Sequence, residues 1–147
     1  MRRLNAVVDS TVLVSAFIRK GGVNALLLRH GARGVFELFL SHAIIDETQN
    51  TLLEREHIRE RYRYTDQEVE EFCQSLQSSF PSVTDIPALT GISRDPHDDM
   101  VVACAVAAQT SYLVSRDNDL LSLSEYENIK IVTPEAFMGI LREQGLI

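Results

Sequence analysis

Hydrophobic and polar positions alternate here in blocks, and the blocks predict an ordered series of strands and helices. LNAVV, Leu4 to Val8, is a short apolar run rich in β-branched residues that ends at Asp9, which predicts a buried strand. Ser10 or Thr11 can cap the next element, and VLVSAFI predicts a short helix stopped by Gly21-Gly22. ALLLRH, Ala25 to His30, is a second helical piece, and VFELFL, Val35 to Leu40, a second strand. From Ile44 to about Arg63, the spacing of Ile44, Ile45, Thr48, Leu52 and Ile58 fits one or two amphipathic helices. Asp66 opens another helix, with Val69, Phe72, Cys73 and Leu76 on one face and Pro81 after its end. SVTDI is a candidate short strand. A helix then begins near Pro96, SYLVS (Ser111 to Ser115) is a strand running into Asp117, and IKIV (Ile129 to Val132) is the last strand. Asp119 is placed to cap DLLSL, and Thr133-Pro134-Glu135 opens a final helix that ends at Gly145.

Apolar strands alternating with helices predict an α/β/α fold, a parallel sheet covered on both faces with right-handed crossovers. A length of 147 residues without linker, repeat or low-complexity stretch suits a single domain over 1–147. No apolar run approaches membrane-spanning length, and the N-terminal one is too short for a signal peptide. Cys73 and Cys104 have no metal or redox spacing and read as reduced thiols of a cytoplasmic protein. The net charge of −7 excludes a protein that grips nucleic acid through global phosphate neutralisation. Action on nucleic acid would need divalent cations or a local basic patch.

The helix near Pro96 raises a question of charge. RDPHDDMVVACAVAAQT sets Asp95, Asp98 and Asp99 ahead of the most apolar run in the chain. Asp95 is a good N-cap, Pro96 suits the first helical position, and Asp98 at the third can reach back in a loose capping box. Asp99 shares a face with Val102, Ala103 and Val106, and a carboxylate on a buried face is costly unless paired or bound to a metal. A cap followed by a solvated turn is the plain alternative.

In open parallel sheets, chemistry collects beyond the carboxyl ends of the strands. Asp9 ends the first strand, Asp117 follows SYLVS, Asp99 opens the helix leading into that strand, and Glu47 lies early in the helix after VFELFL. Each acid has a simple role as cap or turn. Crowded at one edge, they would repel one another unless a cation held them together, and an oxygen-only set suits Mg2+ or Mn2+. His30, His42, His57 and His97 are scattered and make no zinc pattern. GGVNALL lacks the lysine and hydroxyl of a phosphate loop, and Ser10 has no nucleophile-elbow setting. Asp9-Ser10-Thr11 also lacks the Asp-x-Asp of haloacid-dehalogenase-like phosphate chemistry, and a receiver-like domain lacks a good acceptor.

VVDSTVLVSA with Asp9, SHAIIDETQNTLLER with Glu47, RDPHDDMVVACAVA with Asp99 and YLVSRDNDLL with Asp117 together resemble the PIN-domain nucleases, in particular bacterial toxins of VapC type. The pieces come in the family's order and span Leu4 to about Pro134. The resemblance implies a Mg2+- or Mn2+-dependent endoribonuclease that cleaves single-stranded RNA, with an antitoxin protein as partner. It assigns the metal and the catalysis to Asp9, Glu47, Asp99 and Asp117. Ser115 falls where the family often has Thr or Ser. Asp98 and Asp119 are secondary candidates. Thr11 stands where the family commonly has Asn, which leaves a non-catalytic RNA- or protein-binding module as the alternative. EREHIRERYRY offers Arg55, Arg59, Arg61 and Arg63, with Tyr62 and Tyr64, to hold phosphates and stack bases; Glu56–Arg59 and Glu60–Arg63 pairs on a solvated helix are the competing reading. Apolar surface on the helices of 44–80 could face an antitoxin or a second copy in a homodimer or higher homo-oligomer.

Overall fold

The computed structural model describes residues 2–147. Five strands form one sheet in the order β2-β1-β3-β5-β4: β1 (Asn5–Val8), β2 (Glu37–Phe39), β3 (Tyr112–Val114), β4 (Glu125–Tyr126) and β5 (Ile129–Val132). The first three pairings across it are parallel, with Ala6 opposite both Leu38 and Tyr112, and Leu113 opposite Ile131. β1 and β3 lie at the centre, which explains their uninterrupted apolar runs: Val7, Val8, Leu113 and Val114 are fully buried beneath helices. The expected α/β/α class holds.

The helices are α1 (Ser10–Ile18), α2 (Val23–Ala32), α3 (His42–Glu54), α4 (Glu56–Arg61), α5 (Asp66–Ser79), α6 (Pro96–Ala108), α7 (Asn118–Leu123) and α8 (Pro134–Glu143). Helix starts are fixed locally. Thr65 and Glu68 form a reciprocal capping box on α5, and Thr133 caps α8 ahead of Pro134. The stretch from 44 to 63 resolves into two helices, broken at Arg55. Among the described residues, no single helix is long and apolar enough to cross a membrane. Cys73 and Cys104 are free and buried, and burial pushes both thiols up to about 11.

Three local expectations change. SVTDI is not a strand; Ser82 makes one isolated bridge to Leu40. β4 was not foreseen: it pairs antiparallel with β5 around Glu127 and Asn128, whose positive φ angles of 45° and 70° suit a two-residue hairpin turn without glycine. Asp117, not Asp119, caps α7, its carboxylate accepting the Asp119 N–H at 2.8 Å.

β1 connects outward to β2, while β3 lies on its other side, so a crevice opens beyond their carboxyl ends. Asp9 and Ser115 directly follow these two strands. The Asp9 N–H donates to the Val114 carbonyl at 3.0 Å, extending the β1–β3 ladder to the rim of that crevice.

Candidate functional site

Asp9 is the most completely held acid. It caps α1, and its Oδ1 accepts the Ser10 N–H at 2.7 Å. Its Oδ2 accepts the Thr11 hydroxyl at 2.8 Å and the Ser115 hydroxyl at 2.7 Å. Ser115, fully buried, in turn accepts the Asp117 N–H at 2.9 Å, and Thr11 accepts the Arg116 N–H at 3.0 Å. Two hydroxyls therefore bolt the start of α1 to the turn after β3, and Thr11 supplies this link as a hydroxyl. Burial nevertheless raises the Asp9 carboxyl above the usual carboxylate range, against the lowering effect of these donors, and the charge of Asp117 adds to the rise.

The paired aspartates at the head of α6 divide their work in the opposite sense to the sequence expectation. Both are buried, Asp98 at 4% and Asp99 at 5% exposure. Asp99 is not in the close acidic group and turns its oxygens to backbone amides: its Oδ1 accepts the Ser93 N–H at 2.7 Å and its Oδ2 the Gly91 N–H at 3.1 Å. Asp98 faces the crevice. It does not close a capping box on Asp95; its Oδ2 accepts the Ser93 hydroxyl at 3.1 Å. Asp95 alone is the cap, through the His97 N–H at 2.9 Å. The reversal follows from helix phase. Asp98 continues the stripe of Val101, Val102 and Ala105, all buried, whereas the face of Asp99 ends at the partly exposed Val106.

Asp98, Asp117 and Asp119 each offer a carboxylate oxygen within 4.8 Å of the other two, the group among the described residues whose spacing suits a metal ion. Burial first, and then the charge of Asp117, push the Asp98 carboxyl up to about 7. Glu47 is also raised, by burial and then by Asp9, and its surroundings include Ser10, His97 and Asp95. Asp9 and Glu47 lie outside the close triple but within the same field of negative charge. An all-oxygen set whose anionic forms repel one another fits a hard divalent cation. Glu47 opens onto a cavity of about 480 Å³, lined also by Asn50, Arg55, His97 and Met100. On the opposite side, Asp119 borders a cavity of about 360 Å³ with Gly91, Ser93, Arg94 and Ser122.

The arginine run is not uniform. Arg59 is committed inside the protein: it donates to the carbonyls of Leu53 at 3.2 Å and Tyr64 at 3.3 Å, pairs with Asp66 at 2.7 Å and lies over the Tyr64 ring. It joins the end of α3 to the start of α5, and neither expected pair, Glu56–Arg59 nor Glu60–Arg63, forms an ion pair. Arg61 lies over Tyr62, Arg63 is exposed, and Arg55 reaches the cavity beside Glu47. Sequence reading passed over Ser93, which carries no helix-start signature two residues ahead of the cap. It also passed over Arg116, whose guanidinium binds Asn24 at 2.9 Å and pairs with Glu135.

Known proteins place this fold. No curated protein matches the chain. Among solved structures, PAE2754 from Pyrobaculum aerophilum is 19% identical with a TM-score of 0.62, over 96% of this chain and 97% of that one. VapBC2 from Rickettsia felis, solved bound to a DNA fragment from its promoter, is 10% identical with a TM-score of 0.59, over 88% of this chain and 98% of that one. At these identities the likeness is one of fold. The family profile described as PIN domain matches residues 5–119, from β1 through Asp119, and the chain belongs to the PIN domain family.

Proposed function

We propose that the chain works as a single PIN-like domain that hydrolyses phosphodiester bonds of single-stranded RNA with Mg2+ or Mn2+. The observation that carries this reading is the close approach of Asp98, Asp117 and Asp119 at the carboxyl edge of the sheet, beside Asp9. Asp98, Asp117 and Asp119 would hold the cation, with Asp9 and Glu47 completing its surroundings. When bound, it would supply Lewis-acid activation of water and charge neutralisation at the phosphate. The chain's own part is orientation. Ser10, Thr11 and Ser115 present four donors to Asp9, the Ser10 hydroxyl the longest at 3.4 Å, and so fix its carboxylate. The Ser115 hydroxyl also ties the backbone of Asp117, so the acids after β1 and β3 are set by one group. Asp99 is left out of the proposed ligand set because it lies outside the close triple, its oxygens turned to the amides of Gly91 and Ser93.

Substrate reaches the acids from either cavity, and the negative edge repels phosphate until a cation is present. Arg55 on one side and Arg94 on the other are the placed cations for RNA phosphates; Arg61 and Arg63 are exposed auxiliaries, and Arg59 is not available. The likeness to the VapBC2 complex is the support for a toxin role with an antitoxin partner; a cytoplasmic location and a homodimer or higher homo-oligomer complete the proposal. The test is incubation of the protein with mixed single-stranded RNA and Mn2+, with EDTA, Asp9→Asn and Asp98→Asn controls. Cleavage that needs the cation and both acids supports the nuclease. RNA binding without cleavage overturns it in favour of a binding module.

A further inference from the structure

We infer that Asp99 is a positioning residue: it pins the segment before α6 so that the Ser93 hydroxyl stays on Asp98 and the wall of the adjoining cavity stays in place. The inference rests on the reading of Asp98, Asp117 and Asp119 as a cation site.

The segment from 84 to 94 is weakly held by its own backbone. Among the described residues, it makes no backbone–backbone hydrogen bond; the last such bond before it joins the Val83 N–H to the Leu40 carbonyl. Its three hydrogen bonds all run to the two buried aspartates: Gly91 N–H and Ser93 N–H to Asp99, and the Ser93 hydroxyl to Asp98. A carboxylate is the side chain that can take both amides at once, one on each oxygen. An asparagine in the same place turns an NH2 group towards one of the two N–H donors. The backbone is shaped to meet it. Gly91 sits at φ +71°, the left-handed region, and a Cβ there would meet nothing within 4 Å, so the glycine serves conformation rather than space.

One consequence reaches Asp98. Ser93 carries both the N–H held by Asp99 and the hydroxyl given to Asp98, so the orientation of the proposed ligand is set through its neighbour. The other reaches the substrate side. Gly91, Ile92, Ser93 and Arg94 form one wall of the cavity that Asp119 and Ser122 close from α7. Releasing Asp99 therefore frees Arg94 along with Ser93.

The experiment is calorimetric titration of Mn2+ into wild type, Asp98→Asn, Ser93→Ala, Asp99→Asn and the Ser93→Ala/Asp99→Asn double variant, with hydrogen exchange followed at 84–94. Loss of a group that orients a metal ligand weakens binding by roughly 10–100-fold. Ser93→Ala and Asp99→Asn are each expected in that range, and the double variant is expected to be no weaker than Asp99→Asn alone. Exchange at 84–94 speeds up in Asp99→Asn. Gly91→Ala, which disfavours the same loop conformation without touching a carboxylate, gives the same faster exchange and weaker Mn2+ binding, and serves if Asp99→Asn does not fold. Asp99→Asn and Gly91→Ala binding Mn2+ as wild type does, or losses that multiply in the double variant, overturn the inference. A wild type that takes up no Mn2+ defeats the cation reading itself, a result distinct from equal binding by wild type and Asp99→Asn.

Discussion

Asp98→Asn should stabilise the cation-free protein while abolishing its response to cations. The Asp98 carboxyl is pushed from 3.8 to about 7 by burial and by Asp117. Being the weaker acid when folded, it holds a proton that the unfolded chain has already released. Its cost is absent below about pH 4, grows as pH rises, and is complete above about pH 7. At about 1.36 kcal/mol for each pH unit between those values, the cost at pH 8 is at most about 4 kcal/mol. Asparagine removes the charge and keeps an oxygen for the Ser93 hydroxyl, so most of that cost is recovered. Urea denaturation in EDTA should find the variant more stable than wild type by about 2–4 kcal/mol at pH 8, and the gap should fall below about 1 kcal/mol by pH 4. Groups remote from Asp98 cancel in this difference; its charged neighbours Asp117 and Asp9 do not, because they lose its charge as well. Saturating Mn2+ should reverse the order, since a ligand at about 1,000 times its Kd adds about 4.1 kcal/mol to wild type. An Asp98→Asn protein less stable than wild type at pH 8 in EDTA, or a gap that does not change with pH, refutes the electrostatic reasoning.

Ser115→Ala leaves the Asp117 N–H without its partner and Asp9 with three donors instead of four, which should cost about 2–3 kcal/mol by urea denaturation. A loss below about 0.5 kcal/mol contradicts the bolt between β1 and β3. Arg59→Ala should cost about 1–2 kcal/mol through its two carbonyl bonds and the Asp66 pair, whereas Arg61→Ala and Arg63→Ala should stay within about 0.5 kcal/mol. Equal effects across the three show that Arg59 does not clamp α3 to α5.

The sheet was legible because its central strands are buried on both faces and so write themselves as β-branched apolar runs. The acids after those strands were legible for the same reason: Asp9 and Asp117 mark where the apolar runs end. Asp98 and Asp99 were not separable, because α6 is apolar nearly all round and no polar face gives its rotation. The difference of one helical position then rests on whether Val106 is covered, which only the neighbouring elements decide. Ser93 was invisible for a different cause: its partners are set by a loop whose path depends on Asp99. β4 escaped notice because its turn uses Glu127 and Asn128 in the left-handed region without a glycine to announce it. Arg59 looked like part of a basic surface until the fold brought Asp66 and Tyr64 beneath it.

Crystals soaked in Mn2+ and measured at the manganese absorption edge test the main proposition at the atomic level. The expected result is an anomalous peak bounded by the carboxylates of Asp98, Asp117 and Asp119, with Asp99 still turned to the amides of Gly91 and Ser93. Manganese seated on Asp99, or none at that edge of the sheet under saturating conditions, contradicts it.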